Sequence, residues 1–97
     1  MKRNPMREQI YRSAKIKGGK LLNADFTLDN GIITDLQIHG DFFIHPEEKI
    51  SSIEKAVEGI ECSAEIIAKN IHETLSRENI SVIGFTADDL ANLLCGE

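Results

Sequence analysis

Apolar and polar positions alternate along the first half of the chain. Leu22, Ala24, Phe26 and Leu28 interleave with Asn23, Asp25, Thr27 and Asp29, the period-two pattern of a half-buried strand. After Asp29-Asn30-Gly31 the alternation resumes through Ile32, Thr34, Leu36 and Ile38, so the segment predicts a hairpin. Parity decides its loop. A two-residue Asn30-Gly31 loop sets Phe26 against Asp35 and Ala24 against Gln37, which puts polar groups on the apolar face. A three-residue loop, Asp29 to Gly31, pairs Leu28 with Ile32, Phe26 with Thr34, Ala24 with Leu36 and Leu22 with Ile38. The second register is expected, with Gly31 as the left-handed residue of a type I turn with a bulge. An earlier strand covers about Ile10 to Lys17, with Ile10, Ala14 and Ile16 on one face. Gly18-Gly19-Lys20 then turns the chain, and the same parity sets Ile16 opposite Leu22.

Beyond Pro46 the period lengthens to that of helices. Pro46 suits a first helical turn, Glu47 and Glu48 favour its positive end, and Ile50, Ile53, Val57 and Ile60 form an apolar stripe that Gly59 ends. Ser63 caps a second helix with Glu65 in its first turn and Ala64, Ile67, Ala68, Ile71 and Leu75 as its stripe. Thr86, followed three residues later by Asp89, opens a third helix as a capping box; Leu90, Leu93 and Leu94 face inward and Gly96 ends it. The fold class is α+β: a three-stranded antiparallel meander covered by about three helices on one face, in the order β-β-β-α-α-α. Residues 1–97 read as one domain, with 1–9 a flexible lead-in, 10–43 the sheet and 46–95 the helices.

Size narrows the function. A chain of 97 residues with 41% hydrophobic positions supports one modest core. A domain this small buries roughly 60–65% of its unfolded surface, so its stability leans on a partner. No apolar run approaches the ~18 residues that span a membrane. Met1-Lys2-Arg3-Asn4-Pro5 is basic, but no apolar h-region follows, so no secretory signal is read and the expected location is the cytoplasm. Cys62 and Cys95 are then expected as reduced thiols rather than a disulfide. The net charge of −5 is uneven: residues 1–20 carry seven basic side chains against Glu8 alone, and the remainder carries four against fifteen acids. A basic end on an acidic body fits a face that meets an anion or an acidic partner, and equally a solvated strand with a frayed terminus.

Few groups converge on chemistry. His39, His45 and His72 with two cysteines lack any Cys-x-x-Cys or His-x-x-x-His pair, so no metal site is expected. Cys62 lies at a helix start, which favours a thiolate, but Glu61 and Glu65 oppose that. Gly18-Gly19-Lys20 reads as a glycine hairpin turn or as backbone amides approaching a phosphate, with Lys20 adding charge. In His39-Gly40-Asp41-Phe42-Phe43-Ile44-His45-Pro46, Gly40 ends a strand and two aromatics precede a helix. Adjacent aromatics point apart, so one Phe plugs the sheet–helix junction and the other is left for a partner, unless both pack in the core. A chain this short without convergent catalytic groups is an accessory subunit or a detached small domain of a larger enzyme.

The run Lys17-Gly18-Gly19-Lys20-Leu21-Leu22, then Gly31-Ile32-Ile33, Ile38-His39-Gly40-Asp41-Phe42-Phe43, a helix closing at Glu58-Gly59-Ile60, and Gly84-Phe85-Thr86 resemble the small C-terminal domain of lipoate-protein ligases over roughly residues 11–95. The resemblance implies a large domain that holds lipoate, ATP and Mg, forms lipoyl-adenylate, and passes the lipoyl group to a lysine of an acceptor domain. It implies that the small domain supports the activation half-reaction, and that in some organisms, archaea among them, the two parts are separate polypeptides. The large domain, with its Arg-Arg and triple-glycine segment and catalytic lysine, has no counterpart here, so a natural separate subunit is expected, non-catalytic on its own and binding no cofactor alone. Its implied partners are the large subunit, in a heterodimer, and indirectly the lipoyl-acceptor domains of 2-oxoacid dehydrogenases and the glycine-cleavage H protein, with no nucleic acid and no membrane. Lys17, Gly18, Gly19, Lys20, Gly40, Asp41, Phe42 and Phe43 are the residues expected near the partner or the adenylate. Two rival readings are an iron–sulfur scaffold, which Glu61-Cys62-Ser63-Ala64 faintly resembles, and a nucleic-acid module built on the basic end.

Overall fold

The computed structural model describes residues 7–16 and 18–96. Three strands, β1 (Arg7–Ile16), β2 (Lys20–Asp29) and β3 (Ile32–Gly40), form an antiparallel sheet in the order β1-β2-β3. Arg7 to Gln9, assigned above to the lead-in, belong to β1. One face of the sheet is covered by α1 (Ile50–Val57), α2 (Ala64–Arg77) and α3 (Ala87–Cys95), so the meander under three helices is the architecture observed.

Both hairpin registers differ from expectation. Ile16 lies opposite Lys20 and Ala14 opposite Leu22, two residues away from the pairing of Ile16 with Leu22. The turn is tighter than assumed, because the Gly19 N–H donates to the Ile16 carbonyl at 2.8 Å. Parity survives a two-residue shift, so Ile10 and Ile16 still pack against the core. In the second hairpin Asp29 faces Ile32, which leaves the two-residue Asn30-Gly31 loop that parity had excluded. Asn30 (φ 56°) and Gly31 (φ 83°) supply the two left-handed residues of a tight hairpin turn. The conflict is resolved downstream: pairing shifts between Asp25 and Thr27, and Asp35 takes φ 52°. This bulge moves the strand's parity by one, so Ile33, Leu36 and Ile38 are all buried.

β3 is an edge strand, and its outer side is closed. The chain after α1 runs against it, with Gly59 N–H donating to the Ile33 carbonyl (2.7 Å), Ile33 N–H to Ile60 (3.0 Å) and Cys62 N–H to Gly31 (3.0 Å). Beyond the bulge, two carboxylates take over. Leu36 N–H donates to Glu58 Oε2 at 3.0 Å and Ile38 N–H to Glu54 Oε2 at 2.9 Å. Burial raises the Glu54 pKa above its ordinary value; the Ile38 bond opposes this and the neighbouring Glu58 charge adds to it.

The helices follow their stripes. Ile53, Val57, Ile67, Ile71, Leu90 and Leu94 are fully buried in one core cluster with Leu22, Ala24 and Phe26 of β2. Each such side chain contributes about 1.5–3 kcal/mol relative to exposure. Pro46 precedes a single 3₁₀ turn, Glu47–Lys49, rather than opening α1 itself. Lys49 Nζ reaches Glu78 at 3.0 Å and pins that turn to the end of α2. Ser63 holds the N-cap position of α2 without a side-chain capping bond. The α3 capping box is complete: Asp89 N–H donates to Thr86 Oγ1 (3.0 Å) and Thr86 N–H to Asp89 Oδ2 (2.9 Å).

Two features were not anticipated. A second, two-stranded sheet joins β4 (Phe43–His45) to β5 (Ser81–Ile83), so a strand separates α2 from α3. Cys62 and Cys95 are bonded as a disulfide with Cα atoms 5.4 Å apart, which corrects the expectation of free thiols. That expectation rested on the inferred compartment; the packing of α2 on α3 brings together two residues that are 33 apart in sequence.

Candidate functional site

Strand β2 pairs with both neighbours near its start, where Leu22 faces Ala14 on β1 and Gly40 on β3. The β1–β2 turn and the end of β3 therefore lie side by side. Gly40 permits this approach: its φ is 149°, and a Cβ there would collide with the Leu21 carbonyl. Asp41 locks the junction twice. Its N–H donates to the Leu21 carbonyl at 2.8 Å, and its Oδ2 accepts from the Leu21 N–H at 3.4 Å.

A shallow cavity of about 530 Å³ opens at this junction, lined by Gly18, Gly19, Lys20, Gly40, Asp41, Phe42 and Phe43. Seven of the eight residues predicted for the site thus share one surface; the eighth, Lys17, lies outside the described residues. Three glycines leave the backbone of the wall bare. Lys20 is the one cation among the described lining residues, and the Asp41 carboxylate beside it accepts from the Leu21 N–H.

The two aromatics divide. Phe42 turns inward, its ring edge-on to Phe85 with centroids 5.0 Å apart at 89°. Gly84 makes room for it, since a Cβ there would come within 2.8 Å of the Phe42 Cβ. Phe43 turns outward and is 71% exposed. Its cross-strand partner is Ile83, itself 65% exposed, and directly opposed residues project from the same face. An apolar pair therefore stands on the rim of the cavity. Sequence reasoning missed Ile83. The signal was the short run Ile80-Ser81-Val82-Ile83 before Gly84, whose three β-branched apolar residues, Ile80, Val82 and Ile83, mark a strand.

The other candidate groups lie elsewhere. His39 Nε2 is 3.6 Å from Asp25 Oδ2, His45 is in β4 and His72 in α2. Among the described residues no three His, Cys, Asp or Glu side chains converge. With both cysteines bridged, neither is a thiol ligand or nucleophile in this structure. Among the described residues no helix is long and apolar enough to cross a membrane.

Comparison with known proteins agrees with this geometry. The family model described as the bacterial lipoate protein ligase C-terminus matches residues 6–94. No curated protein sequence matches the chain. Among solved structures, the chain is similar to one from an archaeal lipoylation system, a bi-partite lipoate protein ligase and its E2 lipoyl domain from Thermoplasma acidophilum. The two are 27% identical with a TM-score of 0.76, over 92% of this chain and 97% of the other. The resemblance read from the glycine turn, the aromatic run and the Glu58-Gly59-Ile60 helix end is therefore borne out, and the chain belongs to the lipoate protein ligase C-terminus family.

Proposed function

We propose that this chain is the accessory subunit of a two-part lipoate-protein ligase, supporting ATP-dependent activation of lipoate to lipoyl-adenylate on a separate large subunit. One observation carries the reading: the glycine turn and the Gly40–Phe43 run, distant in sequence, build a single glycine-walled cavity that includes Lys20, with an exposed apolar pair on its rim. The large subunit supplies lipoate, ATP and Mg binding and the chemistry of adenylation and transfer. This chain supplies surface. Lys20 lies toward the phosphate of the adenylate, where one positive charge stabilises an anion held away from bulk water. Phe43 and Ile83 insert into the large subunit and exclude water from the junction. Asp41 and Gly40 hold the two walls in register. The acyl group then passes to a lysine of lipoyl-acceptor domains such as those of 2-oxoacid dehydrogenases.

Pyrophosphate release by the two chains together, with lipoate and ATP, is the test. Lys20→Ala and Phe43→Ala each lower the rate, and undiminished rates in both overturn the placement of these residues. Chemically made lipoyl-adenylate separates the half-reactions. Transfer from it proceeds without this chain; a strict requirement for the chain there rules out a role confined to activation.

A further inference from the structure

The two edges of the main sheet are treated differently. The β3 edge is closed by residues 59–62 and by Glu54 and Glu58. β1, ten residues long, is the outer strand on the other side, and no described residue hydrogen-bonds to its outward backbone. Beside it, a groove of about 520 Å³ separates β1 from α3, with Arg12, Ala14 and Ile16 on one wall and Asn92 and Leu93 on the other. Tyr11, 59% exposed, stands at its margin. A long open edge next to a groove is the geometry for strand addition.

Charge selects the occupant. β1 carries Arg7, Arg12 and Lys15 against Glu8. Arg7 is engaged by Asp29 at 3.2 Å, whereas Arg12 and Lys15 have no acidic partner among the described residues. Asp89, the acid in the groove, is occupied by the α3 capping box. Residues 1–6 carry Lys2 and Arg3 with no acid, so their charge does not complement this edge. A second copy would bring the same three bases against their like.

We infer that the free edge of β1 accepts an extended, acid-bearing segment of the large subunit as a fourth strand of the sheet. This rests on the subunit assignment above. The location is consistent with it, because β1 runs directly into the Gly18–Lys20 turn that lines the adenylate-facing cavity, so one partner can cover both.

Site-resolved amide hydrogen exchange on the chain, free and in complex with the large subunit, tests the inference. Outward-pointing amides within residues 8–15 exchange fast in the free chain and slow markedly in the complex. Arg12→Glu combined with Lys15→Glu weakens the complex by about tenfold through lost and reversed charge pairs. Both side chains are exposed, so the urea midpoint of the free variant is unchanged; Lys15→Glu alone serves if the double change lowers it. A complex that forms with unprotected β1 amides overturns strand addition and leaves the subunit assignment standing. Protection that grows with concentration in the free chain identifies a second copy and overturns the inference. Absence of any complex, with no gain in pyrophosphate release, overturns both.

Discussion

The disulfide between Cys62 and Cys95 spans 33 residues, including all of α2 and β5. Its removal is a strong perturbation of so small a domain. A bridge lowers the entropy of the unfolded chain in proportion to the logarithm of the loop it closes. For a loop of this length the loss is about 12–13 cal/mol/K, or about 4 kcal/mol at 25 °C. Total stabilities of single domains run at about 5–15 kcal/mol, so the bridge accounts for a large share. It also ties the last residue of α3 to the segment that covers β3, and its loss frees the end of α3 first. Urea unfolding followed by circular dichroism, with and without a thiol reductant, reads the effect, and Cys62→Ser with Cys95→Ser provides the version without reductant. Both midpoints fall by the equivalent of about 4 kcal/mol, and the slope of the transition rises because the uncrosslinked chain exposes more surface. Two thiols titrating in the native, unreduced protein, or unfolding curves that coincide with and without reductant, would refute this reasoning.

Two further outcomes depend on single contacts. Gly40→Ala places a Cβ against the Leu21 carbonyl at φ 149°, so the Leu22–Gly40 pairing must open; the urea midpoint falls by the equivalent of about 2 kcal/mol or more, and an unchanged midpoint defeats the close-approach account. Glu54 has a raised folded-state pKa, so the folded chain holds its proton more tightly than the unfolded one. That contribution is complete below the ordinary carboxylate pKa and is lost as pH rises through the raised value. Glu54→Gln keeps an acceptor for the Ile38 N–H and removes the titration, so between pH 4 and pH 7 its stability declines less than that of the unaltered chain; parallel profiles would contradict the assignment.

The helices were legible because their signals are local. The Thr86–Asp89 box and the Ile53, Val57, Ile67 and Ile71 stripes depend on residues three or four apart, and the structure uses them as read. The sheet was legible in order but not in register. The adjacent pair Ile32-Ile33 offers two candidates for the inward position, and alternation alone selects Ile32. One bulge residue, Asp35, reverses that choice after the turn has already been set. The second sheet and the disulfide were illegible for a different reason. Each joins segments that only helix packing brings together, β4 to β5 and the start of α2 to the end of α3. The family motifs show the same limit. In sequence they are separate short runs; in space they meet in pairs. The Gly18–Lys20 turn meets Gly40–Asp41, Gly31–Ile33 meets Gly59–Ile60, and Phe42 meets Gly84–Phe85.

The uneven charge acquires a direction from the fold. Along the sequence it separates a basic start from an acidic remainder, and that pattern fits a partner-facing surface and a solvated strand equally well. In the folded chain it runs across the sheet. Glu54 and Glu58 lie along β3 with their carboxylates bonded to backbone N–H groups, while Arg12 and Lys15 lie along β1 with no acid among the described residues to meet them. Arg7 alone of the β1 bases is neutralised, by Asp29 at the far end of the hairpin. The unmatched bases are therefore the ones nearest the Gly18–Lys20 turn, and Lys20 itself lines the cavity. A merely solvated strand has no reason to concentrate its unpaired charge beside a glycine-walled cavity and an exposed aromatic. A surface that approaches an adenylate and an acid-bearing strand has reason to do so at that end.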